Sequence, residues 1–228
     1  MTLSPRIELV IFDCDGVLVD SEAISAEVLV EVLATLGIGI DTDHVYGNYT
    51  GKSFPKVAAM LSQDHPEVLP ADFEALYRAA LFRTFATRLR PTLGLLDMLS
   101  DLDCRKCIAT SSTPVRLQRS LALCGLTDHF GPHLFTASQV ANGKPAPDLF
   151  EFAAQSMNTN PANCLVIEDS EVGLQAALAA RMTTWRYTGG AHLIHAKPPT
   201  APDLRAIRSF DNWTKFYQMA PELRRQGA

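Results

Sequence analysis

The sequence predicts an α/β fold, a Rossmann-like parallel-sheet core with an inserted all-helical cap domain. Three observations carry that expectation. Short β-rich runs recur at residues 7–12, 105–110, 163–168 and 183–187, with a weaker one at 133–136. Helical patterns separate the later runs, the alternation that builds a parallel sheet from β-α units. The stretch from about 18 to 90 breaks this rhythm and reads as helices alone, at 21–36, 53–62 and 70–89. The core is therefore expected at 1–17 and 91–228, with the cap at 18–90 seated over the carboxyl edge of the sheet.

The elements follow in order. Ile7-Glu8-Leu9-Val10-Ile11-Phe12 reads as a buried strand. The first cap helix is expected to start behind Asp20 as N-cap and to stop at Gly37, a suitable residue just past a helix end. Pro91 marks the return to the β-α pattern. The helix after Glu168-Asp169 ends in Ala179-Ala180-Arg181-Met182. If Arg181 takes the left-handed conformation there, it costs about 1 kcal/mol relative to Gly. Beyond Tyr187, Gly189-Gly190 and Pro198-Pro199 mark a loop, followed by a weak last strand and a helix near 211–219.

Composition narrows the function. A chain of 228 residues, 47% hydrophobic, can bury one full core and a smaller second one. A formal net charge of −5 lacks the basic footprint of a nucleic-acid binder. Met1-Thr2-Leu3-Ser4-Pro5-Arg6 has no apolar stretch of the secretory kind, and no later run is long enough to span a bilayer. Five cysteines, an odd number, fit a reducing compartment, so a cytoplasmic location is expected. Cys104 and Cys107 form a C-x-x-C, but no second pair or nearby His completes a zinc site. Because they flank a core strand, the spacing is read as coincidence rather than as a redox pair.

Four groups of polar residues fall at strand ends. Asp13-Cys14-Asp15-Gly16 follows the first strand, and Ser111 closes Cys107-Ile108-Ala109-Thr110-Ser111. Lys144 stands in Gly143-Lys144-Pro145-Ala146-Pro147-Asp148, and Glu168-Asp169 closes Cys164-Leu165-Val166-Ile167. Carboxylates at a buried strand tip are a poor choice for stability, since an unpaired one costs several kcal/mol, roughly. They make sense if the carboxyl ends of the strands form a working site, where open α/β sheets place ligands. Each group also has a bland reading. Ser111 could satisfy local backbone, with Thr113 and Pro114 the N-cap and first residue of the next helix. Lys144 could be a solvated loop lysine, Asp148 a helix cap, and Glu168-Asp169-Ser170 merely the acidic start of a helix.

Together and in this order, these motifs resemble the haloacid dehalogenase superfamily of phosphohydrolases over nearly the whole chain. The likeness is greatest to its sugar-phosphate phosphatases and β-phosphoglucomutases, which carry a helical cap after strand one. The resemblance implies that Asp13 is a nucleophile forming an aspartyl-phosphate and that Asp15 is the general acid and base. It implies a Mg²⁺ site from Asp13, the backbone carbonyl of Asp15, Glu168 and Asp169, a hard oxygen shell suited to that ion. Ser111 and Ser112 would hold the phosphate at a helix start, and Lys144 would neutralise both nucleophile and phosphoryl group. That neutralisation matters, because a carboxylate approaching a phosphate is repelled by about 4 kcal/mol per charge pair at contact, at an effective dielectric near 20.

In the cap, Tyr49, Gly51, Lys52 and Ser53 are the candidate substrate residues, with Glu22 near the hinge. Gly51-Lys52-Ser53 looks like the end of a nucleotide-binding glycine loop, but position 46 is Tyr where that loop needs Gly, and no strand precedes it. A solvent-exposed loop lysine is the alternative reading of Lys52. Two positions depart from the β-phosphoglucomutase pattern: Ser25 stands where a His is usual, and Phe54 where an Arg grips a second phosphate. Both departures favour a phosphatase of a small phosphomonoester, with sugar, polyol or sugar-acid monophosphates expected. A hexose-phosphate mutase is the alternative, with His44 as the replacement for the missing His. A non-catalytic phosphometabolite sensor is the alternative of another class. No nucleic-acid or membrane partner is expected, and a monomer would suffice.

Overall fold

In a computed structural model, residues 6–49, 52–66, 68–194, 199 and 201–225 are described. Six parallel strands make one sheet: β1 (Leu9–Phe12), β2 (Arg105–Thr110), β3 (Leu134–Thr136), β4 (Cys164–Glu168), β5 (Thr183–Tyr187) and β6 (Arg208–Phe210). Their spatial order is β3-β2-β1-β4-β5-β6. The chain therefore runs outward from β1 in one direction, then returns to its other side at β4. The gap between the carboxyl ends of β1 and β4 is a topological switch point, the crevice where such sheets bind ligands.

β1 and β4 are buried along their whole length, so alternate residues serve opposite layers. Val10, Phe12, Ile108, Leu165 and Ile167 face one layer, which is continuous with the core of the cap. Leu9, Ile11, Cys107, Ala109 and Val166 face the other layer.

The helices between β1 and β2 are α1 (Glu22–Thr35), α2 (Thr42–Asn48), α3 (Phe54–Asp64), α4 (Phe73–Arg88) and α5 (Leu95–Asp101). Those after β2 are α6 (Pro114–Leu123), α7 (Thr127–Phe130), α8 (Asp148–Ser156), α9 (Glu171–Ala179), α10 (Pro202–Arg205) and α11 (Phe216–Met219). The three helices expected in the cap are present, and α2 is a fourth. Seven residues with one buried apolar side chain, Val45, give no periodicity to read, and the Asp41 side chain capping the His44 amide was the only local cue. Two chain crossings join the cap to the core side by side. Val19 bridges Pro91, the Asp20 amide donates to the Arg90 carbonyl, and the Thr92 amide donates to the Leu18 carbonyl.

Two local expectations are corrected. Asp20 does not cap α1: Ser21 is the N-cap residue, and the Asp20 carboxylate accepts from the Ala191 amide at 3.0 Å. Ser21 gives no cap bond either, because its hydroxyl donates to Asp15 Oδ1 at 2.5 Å. Asp148 is the first residue of α8, and its carboxylate takes the amide and side-chain NH₂ of Asn142 rather than the helix amides. It thereby closes the loop that presents Lys144. Thr113 and Pro114 do cap and open α6 as read. Cys104 and Cys107 are free thiols, and burial pushes both above the usual thiol range.

Arg181 has φ +58°, the left-handed residue just past α9. Arg181→Gly is expected to raise stability by about 1 kcal/mol, read from the urea midpoint at unchanged slope. An unchanged or lower midpoint would show that the Arg side chain offsets its own backbone cost. Pro198 lies outside the described residues. Among them, no helix is long and apolar enough to cross a membrane.

Candidate active site

Asp13 directly follows β1 and continues its ladder, its amide donating to the Ile167 carbonyl at 3.0 Å. Since Phe12 lies opposite Ile167, the next residues on the two strands, Asp13 and Glu168, come together at the switch point. Lys144 Nζ sits between them, 2.7 Å from Asp13 Oδ1 and 2.7 Å from Glu168 Oε1, with its side chain only 2% exposed. The Phe150 ring lies under the ammonium at 4.9 Å. The other oxygen of Glu168 accepts from the Asp169 and Ser170 amides, both at 2.7 Å, and from the Ser170 hydroxyl at 3.0 Å. Ser170 is the N-cap residue of α9 and Asp169 the residue before it, so the entry to the helix fixes the carboxylate.

Burial pushes the Asp13 carboxyl well above its ordinary value against the pull of Lys144, and Glu168 and Asp169 add to the rise. Glu168 is raised for the same reason. Burial opposes the Lys144 charge, but the two carboxylates outweigh it and keep the ammonium protonated.

Asp13, Glu168 and Asp169 offer oxygens that lie within 4.8 Å of one another. Three carboxylates against one ammonium leave the cluster anionic, and the buried Asp169 Oδ2 has no hydrogen-bond partner. This all-oxygen, anionic donor set fits a hard divalent cation. Gly16 makes the close approach possible: its φ is +80°, and a Cβ there would stand 2.1 Å from Asp169 Oδ2.

Asp15 points away from that cluster. Arg116 Nη2 donates to its Oδ1 at 2.7 Å, and the Ser112 hydroxyl donates to Oδ2. Burial works against the Asp15 charge, but Arg116, Ser112 and Ser21 outweigh it and hold the carboxyl below its ordinary value. Ser112 is thus engaged with Asp15, whereas Ser111 lines the cavity beside it.

A cavity of about 390 Å³ joins these groups to the cap, within the range that encloses small ligands. Asp13, Asp15, Ser111, Ser112, Lys144, Glu168 and Asp169 line its floor, and Glu22, Tyr49, Lys52 and Ser53 line it higher up. Every predicted site residue that is described therefore meets in one cavity; Gly51 lies outside the described residues. Burial raises Glu22 to about 7, with the Asp15 charge adding and Arg116 opposing. His44, the mutase candidate, is edge-on to the Tyr49 ring at 5.5 Å and is absent from the cavity lining.

Sequence reading missed two residues. Arg116 stands in the first turn of α6, where the helix dipole disfavours a cation, and that misplacement was the available signal. His192, in a 3-10 turn (Ala191–Leu193) after β5, brings Nε2 to 2.9 Å from Asp169 Oδ2, out of line for a hydrogen bond. Burial opposes its protonation, but Asp169, Glu22 and Asp20 outweigh that and raise its pKa. Only the loop Gly189-Gly190 hinted at it.

Comparison with known proteins agrees with this geometry. The family model of the haloacid dehalogenase-like hydrolases matches residues 7–181. A 6-phosphogluconate phosphatase of Escherichia coli K12 is 30% identical over 216 residues, covering 90% of this chain and 98% of its own. A fructose-1-phosphate phosphatase of the same organism is 29% identical, covering 75% and 92%. The crystal structure of a hydrolase of this family from Deinococcus radiodurans, with bound phosphate and sodium, is 34% identical with a TM-score of 0.75, and the match covers 97% of each chain. The chain belongs to the haloacid dehalogenase-like hydrolases.

Proposed function

We propose that this phosphatase hydrolyses a small sugar, polyol or sugar-acid monophosphate, with Asp13 as nucleophile and Mg²⁺ as cofactor. The observation that carries the reading is the buried group at the switch point, where Lys144 bridges Asp13 and Glu168 beside Asp169. Both Escherichia coli relatives above are phosphatases of phosphorylated sugars or sugar acids, which supports the substrate class.

Asp13, Glu168 and Asp169, with the Asp15 carbonyl, would hold the cation. When bound, it supplies positive charge to the phosphoryl oxygens and keeps the nucleophile ionised. Asp13 attacks phosphorus, and the P–O bond to the leaving alcohol breaks. Lys144 offsets the repulsion between the Asp13 carboxylate and the phosphate. The Ser111 hydroxyl and the free amides at the start of α6 receive phosphate oxygens. Asp15 protonates the leaving oxygen and then, as carboxylate, takes a proton from the water that attacks the acyl phosphate. The ion pair with Arg116 stabilises the carboxylate form that this second step needs. For the first step that pair has to loosen as substrate enters.

Residues 18–90 are read as the cap that closes this chamber and excludes bulk water, hinged at the paired crossings of 18–20 and 90–92. One chain supplies every group, so a monomer suffices.

Phosphate release from a panel of sugar, polyol and sugar-acid phosphates, with Mg²⁺ or with chelator, tests the proposal beside Asp13→Asn. Turnover is expected only with Mg²⁺ and is expected to fall by at least about 10³-fold in the variant. Release that persists in Asp13→Asn would remove Asp13 as nucleophile. No release from any phosphate would return the weight to a mutase or a sensor.

A further inference from the structure

The cavity floor carries both signs, with Lys144 and Arg116 paired to its carboxylates, whereas part of the cap carries one. The lining carboxylates belong to 13–22 and 168–169, at the floor and the start of α1. Between 25 and 82, on the cap, every charged lining residue is a cation: Lys52, Lys56 and Arg78. Lys52 Nζ donates to the Asn48 carbonyl, and no carboxylate among the described residues pairs with it. Partial burial lowers its pKa, and Lys56 lowers it further. Arg78 engages Glu74, whose side chain is 46% exposed, and reaches across to the Thr113 hydroxyl at 3.0 Å on the core. Lys52 and Arg78, both half-buried, thus present two cationic groups to the same cavity from a stretch of the cap that sets no carboxylate in its lining.

We propose that the substrate carries a carboxylate at the end remote from its phosphate, and that Lys52 and Arg78 on the cap receive it. The proposal rests on the phosphatase reading and narrows its substrate class to sugar acids. A carboxylate matches the available donors better than a second phosphate does. A phosphate dianion needs several charge-assisted donors, and the neighbouring position is filled by Phe54. That ring is stacked on Tyr77 at 4.8 Å and packed under Arg78 at 5.8 Å. A single carboxylate requires only the Lys52 ammonium and one edge of the Arg78 guanidinium.

The test separates binding from turnover. Calorimetry with Asp13→Asn in Mg²⁺ compares a six-carbon aldonate 6-phosphate with the hexitol 6-phosphate and the hexitol 1,6-bisphosphate, which differ only at the remote carbon. The aldonate is expected to bind at least about tenfold more tightly than either. Adding Lys52→Gln or Arg78→Gln is expected to bring the aldonate-to-hexitol ratio to within about threefold. Equal affinities, a tighter bisphosphate, absence of binding by all three, or a ratio that survives both substitutions would overturn the proposal. Hydrolysis of p-nitrophenyl phosphate by the unaltered enzyme reports separately on the phosphatase reading. Hydrolysis without aldonate selectivity leaves a phosphatase and removes the carboxylate site, and selectivity without hydrolysis does the reverse.

Discussion

Lys144→Met is expected to lower phosphate release by at least about 10³-fold and to destabilise the fold by about 3–5 kcal/mol at neutral pH. The substitution keeps the volume of the stem and removes the ammonium that bridges Asp13 and Glu168. Two buried carboxylates then face each other and Asp169 without a counter-charge. The pH dependence gives the signature. Both carboxyls already sit above their ordinary values in the folded chain, and losing Lys144 raises them further. A carboxyl raised by folding binds more protons in the folded state than in the unfolded one, so stability falls as pH rises toward the folded pKa. The deficit of the variant should therefore be largest near pH 8 and shrink on acidification toward the unfolded carboxylate range. Thermal melts in chelator from pH 5 to 8 measure it, and added Mg²⁺ should recover part of the loss at the high end. A deficit independent of pH and of Mg²⁺ would mean that Lys144 acts by packing on Phe150 rather than by charge.

Gly16→Ala is expected to cost at least about 10²-fold in turnover and to weaken Mg²⁺ binding in parallel. The added methyl group would occupy the space of Asp169 Oδ2 and also press on His192, 2.8 Å away. Asp169 must move, and with it one corner of the anionic cluster. The backbone strain of a left-handed Ala comes on top, about 1 kcal/mol. Gly37→Ala separates the two effects, because Gly37 has φ +79° and a Cβ there would meet no atom within 4 Å. That control should lose similar backbone stability while keeping Mg²⁺ affinity and turnover. If Gly16→Ala behaves like Gly37→Ala in a Mg²⁺ titration, Asp169 is not held where the metal needs it.

What was legible in the sequence was local. The strands announced themselves through runs of β-branched and apolar residues, and Asp13, Ser111 and Glu168-Asp169 stood at their ends. Strand ends are set by short-range pattern, and a parallel sheet puts all of those ends on one edge. The helical block was legible too, apart from α2, which is too short to show a period. Capping was read less well at Asp20 and Asp148. Both are acidic residues at helix starts by sequence, but each carboxylate is used by a loop, at Ala191 and Asn142.

By itself, then, the sequence determined the α/β class, the inserted helices and the carboxylates, hydroxyl and lysine of the cavity floor, because periodicity and strand-end chemistry are written over a few neighbouring residues. Tertiary structure alone decided how those groups are charged and enclosed. Arg116 reaches Asp15 across 101 positions, and Lys144 reaches Asp13 across 131. His192 meets Asp169 from a loop beyond β5, and the cap brings Lys52 and Arg78 over the carboxylates of the floor. Such pairings leave no pattern along the chain. They exist because a closed, low-dielectric chamber forces every buried charge to find its partner through space.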